Sequence, residues 1–311
     1  HTEDGKKDFV RELTRKCFVN GIRIKNVQHL SKKNGRNAIV FQARTVGRSC
    51  VTAKKVVPVL TEVLRSGYYP DDSNRRIINE EYHQYIFIQE DRFKLLSGVA
   101  RMNKGKSHFN GDNFLISRLE CGKAIAAIAD GMGSGKRAYI ESRMVIELME
   151  NCIDAGFDEK ASIDLINSAY IAGGGTGNPV TMDMSVIDCQ SGYMHCMKLG
   201  AVSTFIRRDK WVEIIQSTTL PMGVLEQVDY DCTTKKLYDG DYIVMVSDGV
   251  LDNIPCVNKE ERMAQMIHAL TIREPSAMAE KLLEQSLAYN DMKASDDCTV
   301  LVLGLFDTYE K

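Results

Sequence analysis

The sequence lacks the features that mark several common classes of protein. Its nine cysteines are scattered and none forms a Cys-x-x-Cys pair, which argues against a zinc site or a disulfide framework and indicates reduced, cytosolic thiols. Lysine and arginine total 40 against 42 aspartate and glutamate residues, a net charge of −2, so nothing in the charge balance indicates a nucleic-acid partner. No apolar run approaches the roughly 18 residues that a membrane span needs.

The composition that remains is that of a folded chain with a substantial core. Of 311 residues, 44% are hydrophobic and 26% are charged, and this length predicts one large domain or two smaller ones. The chain begins at His1 with no initiator methionine and no signal pattern. We interpret it as the cytoplasmic domain of a longer, membrane-anchored protein, with any membrane attachment made through parts of that parent absent here.

Residues 1–91 are predicted to form a small α/β segment with a regulatory or linking role, because no candidate catalytic cluster falls within them. The turn dipeptide Asn34-Gly35 lies between two strand-like runs and predicts a hairpin. Pro58 is expected to kink a helix. The predicted elements are a helix over Asp8–Asn20, strands over Ile22–Leu30 and Ala38–Thr45, a helix over Thr52–Arg65 and a strand over Tyr82–Gln89.

Residues 92–311 are predicted to form a second domain of α+β class, because runs of short strands are interrupted by paired helices rather than alternating with single ones. The predicted strands are Phe93–Ala100, Asn113–Leu119, Lys123–Ala129, Val180–Asp188, Tyr193–Lys198, Ser203–Arg207, Lys210–Ile215, Tyr242–Val246 and Thr299–Phe306. The predicted helices are Ala138–Ala155, Lys160–Ile171, Lys259–Thr271 and Pro275–Ala288.

Four short acidic motifs, each next to an apolar run, carry the chemistry of this second domain. They are Gly111-Asp112-Asn113, Asp130-Gly131, Ser247-Asp248-Gly249 and Asp296-Asp297. Asp-Gly is also a common turn dipeptide, and we interpret Asp4-Gly5 and Asp239-Gly240 as ordinary turns. Carboxylates held at the ends of several buried strands can converge into an all-oxygen site, which suits a hard cation such as Mg²⁺ or Mn²⁺.

A nucleotide-binding interpretation of the glycine-rich run at 131–136 fails on its spacing. A P-loop would need glycine where Asp130 stands and serine or threonine where Arg137 stands. A second alternative belongs to a different class of function: a catalytically silent domain that binds phosphoproteins. Since all the acidic motifs are present, the enzymatic interpretation is preferred.

In order and spacing, these motifs resemble the type 2C superfamily of metal-dependent protein phosphatases, and its bacterial sporulation branch in particular. The resemblance spans about Phe93 to Phe306, and the Asp-Gly-Met-Gly-Ser-Gly variant at 130–135 points to that branch. The segments that carry it are Asn110-Gly-Asp-Asn-Phe114, Ala126–Gly135, Leu220-Pro-Met-Gly223, Gly240–Gly249 and Ser295–Leu303.

The resemblance implies an α-β-β-α sandwich with two Mn²⁺ or Mg²⁺ ions at one edge. It implies that Asp130 bridges both ions, and that Asp112 and the Gly131 carbonyl each serve one or the other. Asp248 would complete the second ion together with either Asp296 or Asp297. Both of these positions are acidic, and Asp297 is preferred.

The implied reaction is hydrolysis of phosphoserine. Paired cations lower the pKa of water and neutralise phosphoryl oxygens during an in-line displacement. The implied substrate is a phosphorylated anti-sigma-factor antagonist, whose dephosphorylation would activate a sporulation sigma factor. A homodimer through the N-terminal segment or the catalytic-domain helices is a further expectation.

The sequence departs from the family pattern at the group that holds the substrate phosphate. Many type 2C enzymes use an arginine upstream of the first aspartate motif. Here Arg101, Lys104, Lys106 and His108 all lie in that stretch, and none matches clearly. The expectation is therefore that the metals hold the phosphate and that these side chains are solvated loop charges.

Overall fold

The computed structural model describes residues 3–31, 37–105, 107–119, 122–174, 178–227 and 229–308. The chain divides into two compact units, one made chiefly of the residues up to Arg92 and the other of Phe93–Leu119 and Lys123–Asp307. In the described part of the chain, no helix is both long and apolar enough to cross a membrane. The regulatory role assigned to residues 1–91 stays a prediction.

The first unit is a four-stranded antiparallel sheet packed against two helices. Its helices are α1 (Glu3–Val19) and α2 (Val57–Leu64), and its strands are β1 (Ile22–Ser31), β2 (Asn37–Thr45), β3 (Val51–Thr52), β4 (Tyr68–Pro70), β5 (Ile77–Ile78) and β6 (His83–Gln89). The sheet order is β1-β2-β6-β4, and β3 pairs with β5 separately. Leu13 of α1 and Leu60 of α2 are buried with Phe41 and Phe87 of the sheet, so this unit has its own hydrophobic core.

The helix expected over Thr52–Arg65 is shorter than predicted. Residues Ala53–Val56 form a 3₁₀ turn, and α2 begins only at Val57. Pro58 therefore lies in the first turn of α2, where its missing N–H is not needed and its fixed φ suits the helix. The expected kink is wrong for this reason. The hairpin strands are present as β1 and β2, but the Asn34-Gly35 turn lies outside the described residues.

The second unit contains two five-stranded antiparallel sheets and five helices among its described residues. The strands are β7 (Phe93–Met102), β8 (Asp112–Arg118), β9 (Lys123–Gly131), β10 (Val180–Asp188), β11 (Tyr193–Leu199), β12 (Thr204–Arg207), β13 (Val212–Ile215), β14 (Asp231–Lys236), β15 (Tyr242–Val246) and β16 (Cys298–Asp307). The helices are α3 (Lys136–Asp154), α4 (Glu159–Ala169), α5 (Asp248–Asp252), α6 (Lys259–Ala269) and α7 (Pro275–Leu287).

The two sheets pack face to face, with helices on both outer faces. The first sheet has the order β14-β11-β10-β9-β8 and the second β13-β12-β15-β16-β7. Ala126, Ile128, Met245 and Leu301 belong to the apolar layer between the sheets. Helices α3 and α4 cover the first sheet, and α6 and α7 cover the second. The predicted α-β-β-α sandwich is confirmed.

Local sequence explains how the outer helices begin and how closely they pack. Asp158 caps α4 by accepting a hydrogen bond from the Ala161 N–H at 2.7 Å, and Glu274 caps α7 by accepting from the Ser276 and Ala277 N–H groups. A Cβ at Gly98 of β7 would lie 2.2 Å from the backbone nitrogen of Ser276. Glycine at this position therefore lets the start of α7 rest directly on the strand.

Strand β14 was not predicted. Its sequence, Asp-Cys-Thr-Thr-Lys-Lys, has no alternation of apolar side chains, but it pairs with β11 along its whole length. It is the edge strand of the first sheet. Edge strands often carry charged residues, because these discourage pairing with other chains, so a hydrophobic pattern could not reveal it.

One end of the sandwich, called the far end below, is held by a network around Arg208. The guanidinium bonds the Asp241 carboxylate at 3.0 Å and pairs with Glu213 at 3.5 Å. Lys235 of β14 also pairs with Glu213 of β13, at 2.6 Å, and so joins the edges of the two sheets. The half-exposed Trp211 ring lies 5.3 Å from the Arg208 guanidinium carbon.

Candidate metal centre

The opposite end of the sandwich, called the site end below, brings together three of the predicted acidic residues. Asp112 in β8 lies directly opposite Asp130 in β9. Directly opposed residues of antiparallel strands share a face of the sheet, with Cβ atoms about 5 Å apart. Two residues further along, Phe114 and Ile128 are also opposite each other and pack between the sheets. The two carboxylates therefore face the second sheet.

The third carboxylate, Asp248, comes from that second sheet. It follows β15 and starts α5, and its carboxylate is close enough to that of Asp130 to raise the pKa of Asp130. The three residues differ in exposure: Asp112 is fully buried, Asp130 is half-buried and Asp248 is open to solvent. They thus line a path from the interior of the sandwich to its surface.

Burial raises the pKa values of all three carboxyls, and the charges of neighbouring carboxylates raise them further. Burial raises the pKa of Asp130 to about 10, and the charges of Asp112 and Asp248 add to the effect. Burial raises the pKa of Asp112 to about 7, although the nearby hydroxyls of Thr299 and Ser247 partly oppose this. Partial desolvation raises the pKa of Asp248 as well. Without a cation, these groups cannot all ionise near neutral pH.

Asp112 provides the structural test of whether a cation fits here. Among the described residues, neither of its carboxylate oxygens has a well-formed hydrogen bond, although the side chain is fully buried. A buried carboxylate without a partner is costly, and a hard divalent cation bound by oxygen ligands would remove that cost. The residues therefore fit the implied metals in chemical type.

The carboxylates are not arranged as a finished coordination sphere. Within the described ranges, no group of three or more His, Cys, Asp or Glu side chains has its ligand atoms gathered as they would be around one ion. The site is defined instead by pairwise relations: Asp112 lies opposite Asp130 on the neighbouring strand, and the charge of Asp248 raises the pKa of Asp130.

Asp297 and Asp296 have different surroundings. Asp297 is buried, and its two oxygens accept hydrogen bonds from the backbone N–H groups of Lys104, at 2.8 Å, and Gly111, at 2.7 Å. Asp296 lies further out, 3.5 Å from the Lys104 ammonium. Asp297 is also close enough to raise the pKa of Asp112 by its charge. The preference for Asp297 over Asp296 as a ligand stays a prediction.

Gly131 is the last residue of β9 and leads into the glycine-rich turn before α3. Its N–H donates to the Gly111 carbonyl at 3.3 Å. A Cβ at this position would lie 2.3 Å from the Ala138 carbonyl oxygen, so only glycine allows the first turn of α3 to approach so closely. The Ser142 hydroxyl of α3 donates to the same Gly111 carbonyl. Helix α3 thus contacts the backbone beside both Asp112 and Asp130.

Arg101 has a role that its sequence position did not indicate. It lies in β7 of the second sheet, and its guanidinium donates to the backbone carbonyl of Asp112 in the first sheet. Burial lowers the pKa of Arg101, while the charges of Asp112 and Asp297 raise it. His108 is exposed, and Lys106 lies outside the described residues. The contact of Arg101 depends on the packing of two sheets, and no local pattern could have shown it.

Two further residues at this end were also missed. Ser247 is buried just before Asp248, and its hydroxyl accepts a hydrogen bond from the Thr299 N–H at 2.9 Å. Both hydroxyls lie near Asp112 and lower its pKa in part. The position of Ser247 within the Ser-Asp-Gly motif was the one available signal.

An α-β-β-α sandwich with aspartates meeting between the two sheets at one end defines the class of PP2C-type protein phosphatases, which are metal-dependent. The sequence model described as "Stage II sporulation protein E (SpoIIE)" matches residues 121–306. The chain belongs to this family.

Individual relatives agree with this assignment. Stage II sporulation protein E of Bacillus subtilis (strain 168) is 29% identical over 286 residues, which are 92% of this chain and 34% of that protein. The protein of the same name from Priestia megaterium is 30% identical over 253 residues, which are 81% of this chain and 43% of that protein. The chain thus spans between a third and a half of the length of these relatives.

Solved structures show the same similarity in three dimensions. The PP2C phosphatase domain of Bacillus subtilis SpoIIE, solved with a fragment of its regulatory domain, superimposes with a TM-score of 0.74 at 27% identity. The match covers 97% of this chain and 92% of that one. RsbX, solved in complex with magnesium, shares the fold with a TM-score of 0.53 at 20% identity, over 68% of this chain and 95% of that one.

Proposed function

We propose that this chain is the catalytic part of a protein serine phosphatase that uses two Mn²⁺ or Mg²⁺ ions. Its proposed substrate is phosphoserine on an anti-sigma-factor antagonist, and the consequence of dephosphorylation is activation of a sporulation sigma factor. The observation that supports the activity most directly is the fully buried carboxylate of Asp112, which has no hydrogen-bond partner among the described residues and lies opposite Asp130. Membership of the sporulation family supports the substrate.

The proposed ligands follow from this arrangement. The charges of Asp112 and Asp248 both raise the pKa of Asp130. The Asp130 carboxyl is therefore close to both of the others, which supports a bridging role. Asp112 and the Gly131 carbonyl lie on the first sheet, and Asp248 with Asp297 or Asp296 on the second. When bound, the two cations supply the charge that activates water and neutralises the phosphoryl oxygens.

The side chains of the protein itself have three tasks in this proposal. Asp112 and Asp130 must lose their protons when metal binds, because their raised pKa values favour the protonated forms in the absence of metal. Asp297 holds the loop before β8 in place through the N–H groups of Lys104 and Gly111. Arg101 holds the backbone of Asp112 from the opposite sheet. In this proposal the metal ions bind most of the substrate phosphate. The Lys104 ammonium lies at the same end of the sandwich, 3.5 Å from the Asp296 carboxylate.

We further propose the division of labour between the two parts of the chain. Residues 1–91 would be regulatory and residues 92–311 catalytic. This proposal is supported by the separate core of the first unit, by its lack of a predicted site residue, and by the naming of a regulatory-domain fragment in the solved Bacillus subtilis relative. A homodimer through the N-terminal segment or the catalytic-domain helices, and a cytoplasmic position in a membrane-anchored parent, belong to the same proposal.

The test is release of phosphate from a phosphoserine-containing antagonist protein by the full chain, with Mn²⁺, with Mg²⁺ and with excess chelator. Metal-dependent release from wild type, absent in Asp130→Asn, is the expected result. A chromogenic phosphate ester provides a second readout that does not depend on recognition of a protein. If the chain binds the phosphoprotein but releases phosphate from neither substrate, the chain is the silent binding domain and the proposal is wrong.

A further inference from the structure

A buried ion pair lies between the two sheets, next to the candidate metal centre, and takes no part in the proposed reaction. The Lys198 ammonium lies 2.6 Å from an Asp183 carboxylate oxygen, and the two side chains are 1% and 3% exposed. The same oxygen of Asp183 accepts a hydrogen bond from the Thr204 hydroxyl. Lys198 also donates to the Val202 carbonyl at 2.7 Å. The other oxygen of Asp183 has the Cys196 thiol at 3.8 Å.

These residues join the two sheets. Asp183 of β10 and Lys198 of β11 are directly opposed in the first sheet. Thr204 begins β12 in the second sheet. The carboxylate of Asp183 is therefore bonded by Lys198 of its own sheet and by Thr204 of the facing sheet. We call these three residues the cross-sheet bridge.

The cross-sheet bridge lies next to the candidate metal ligands. Asp130 is opposite Thr181 of β10, and Asp183 is two residues further along that strand, about 7 Å away. On the second sheet, Thr204 is opposite Met245, three residues before Asp248. The bridge thus connects the sheet that carries Asp112 and Asp130 to the sheet that carries Asp248, close to where they meet.

Stability alone is a weak reason to bury this pair. Removing two charges from water costs several kcal/mol for each ion, and well-packed apolar residues often do as well or better. The hydrogen bond from Thr204 to Asp183, however, joins the two sheets and constrains the distance between them at this point. Ligands to Mg²⁺ must lie within a few tenths of an ångström of about 2.1 Å, so a centre built from both sheets depends on that distance.

We propose that the cross-sheet bridge of Asp183, Lys198 and Thr204 positions the two halves of the metal centre relative to each other. These are positioning residues, since they act through Asp130 and Asp248 rather than by touching substrate. The inference rests on the proposed function, because it assumes that the carboxylates bind metal. It predicts that loosening the bridge weakens metal binding without unfolding the chain.

The test variant is Thr204→Val, which removes the cross-sheet hydroxyl, keeps the volume and leaves Lys198 paired with Asp183. Mn²⁺ binding to the full chain, measured by calorimetry with the metal alone, is expected to weaken about tenfold, the effect typical of groups that orient metal ligands. The Mn²⁺ concentration for half-maximal phosphate release should rise by the same factor. Thr204→Ser keeps the hydroxyl and should restore wild-type binding.

The matched control is Lys235→Met, which removes a cross-sheet contact at the far end and should leave Mn²⁺ affinity unchanged. The proposal is overturned if folded Thr204→Val binds Mn²⁺ as wild type does, or if Lys235→Met weakens binding equally. Should Thr204→Val not fold, the double variant Asp183→Leu, Lys198→Met carries the same expectation. A wild-type chain that binds no Mn²⁺ would overturn the metal centre itself, which is a separate result from an unaffected Thr204→Val.

Discussion

Acidic side chains are buried where the two sheets meet at both ends of the sandwich, but their neighbours differ. At the far end, Asp241 is 5% exposed and burial raises its pKa, yet Arg208 bonds it directly and lowers that pKa in part. At the site end, the charges of Asp248 and Asp297 raise the pKa of Asp112 further, and the Arg101 guanidinium bonds the backbone carbonyl of Asp112 rather than its carboxylate. At the far end, a basic side chain therefore pairs with the buried carboxylate. At the site end, the Asp112 carboxylate has no hydrogen-bond partner among the described residues and is available to a metal ion.

The largest expected effect is that of a substitution at the site end. Asp130→Asn should abolish turnover, because the residue interacts with both Asp112 and Asp248 and is proposed to bridge the metals. Asp241→Asn at the far end is the matched change, and its turnover per folded molecule should equal that of wild type. Phosphate release by folded protein measures both. A rate for Asp130→Asn above about a tenth of wild type, equivalent to roughly 1.4 kcal/mol, contradicts the bridging role.

The opposite pattern is expected when the far end is changed. Arg208→Met leaves Asp241 buried without its cation, and should lower the free energy of unfolding by about 3 kcal/mol. Turnover and Mn²⁺ affinity of the folded fraction should stay at wild-type values. Urea unfolding followed by circular dichroism gives the first quantity. Loss of metal affinity in this variant would show that the two ends are not independent.

Metal should stabilise the protein through the site end alone. At a free Mn²⁺ concentration about 100 times the dissociation constant, the free energy of unfolding should rise by about 2.7 kcal/mol. Arg208→Met should show the same increment, because its site end is intact, whereas Asp112→Asn should lose most of it. Thermal unfolding with Mn²⁺ and with chelator provides the measurement. An undiminished increment in Asp112→Asn would remove this residue from the metal centre.

The smallest effect concerns pH in the absence of metal. The pKa of Asp112 is raised to about 7 from 3.8, so between these values the folded chain holds a proton that the unfolded chain has lost. Stability contributed by this group is therefore present at low pH and is lost as pH rises towards 7. Wild type should lose about 2 kcal/mol more than Asp112→Asn between pH 5 and pH 8, in chelator. Parallel pH profiles for the two proteins would contradict the raised pKa.

Elements with a clear apolar period could be predicted from the sequence, and those that depend on distant partners could not. Helix α7 and strands β10 and β15 lie within one residue of their predicted bounds, because their periodicity or continuous apolar run is strong. Strand β14 has no such pattern and exists through its pairing with β11. Pro58 was assigned to a helix interior because the preceding turn has helical spacing too.

The acidic motifs indicated where the candidate site lies, because strand ends are visible in the sequence. What could not be predicted is how its parts face each other. The opposition of Asp112 and Asp130 is a matter of register, and the bonds of Asp297 span 186 and 193 positions of the chain. The Arg101 contact with Asp112 requires two sheets to pack at a given distance. Such relations are set by the whole fold rather than by any local segment.

The position of Trp211 makes the far end directly visible to spectroscopy. It is the one tryptophan in the sequence, half-exposed and within 5.3 Å of the Arg208 guanidinium carbon. Intrinsic fluorescence excited at the red edge of protein absorption therefore comes from a single emitter, located where no metal ligand is proposed. Its signal reports the loosening of the Arg208 network, and a metal titration monitored by it should be nearly silent even when the site end fills.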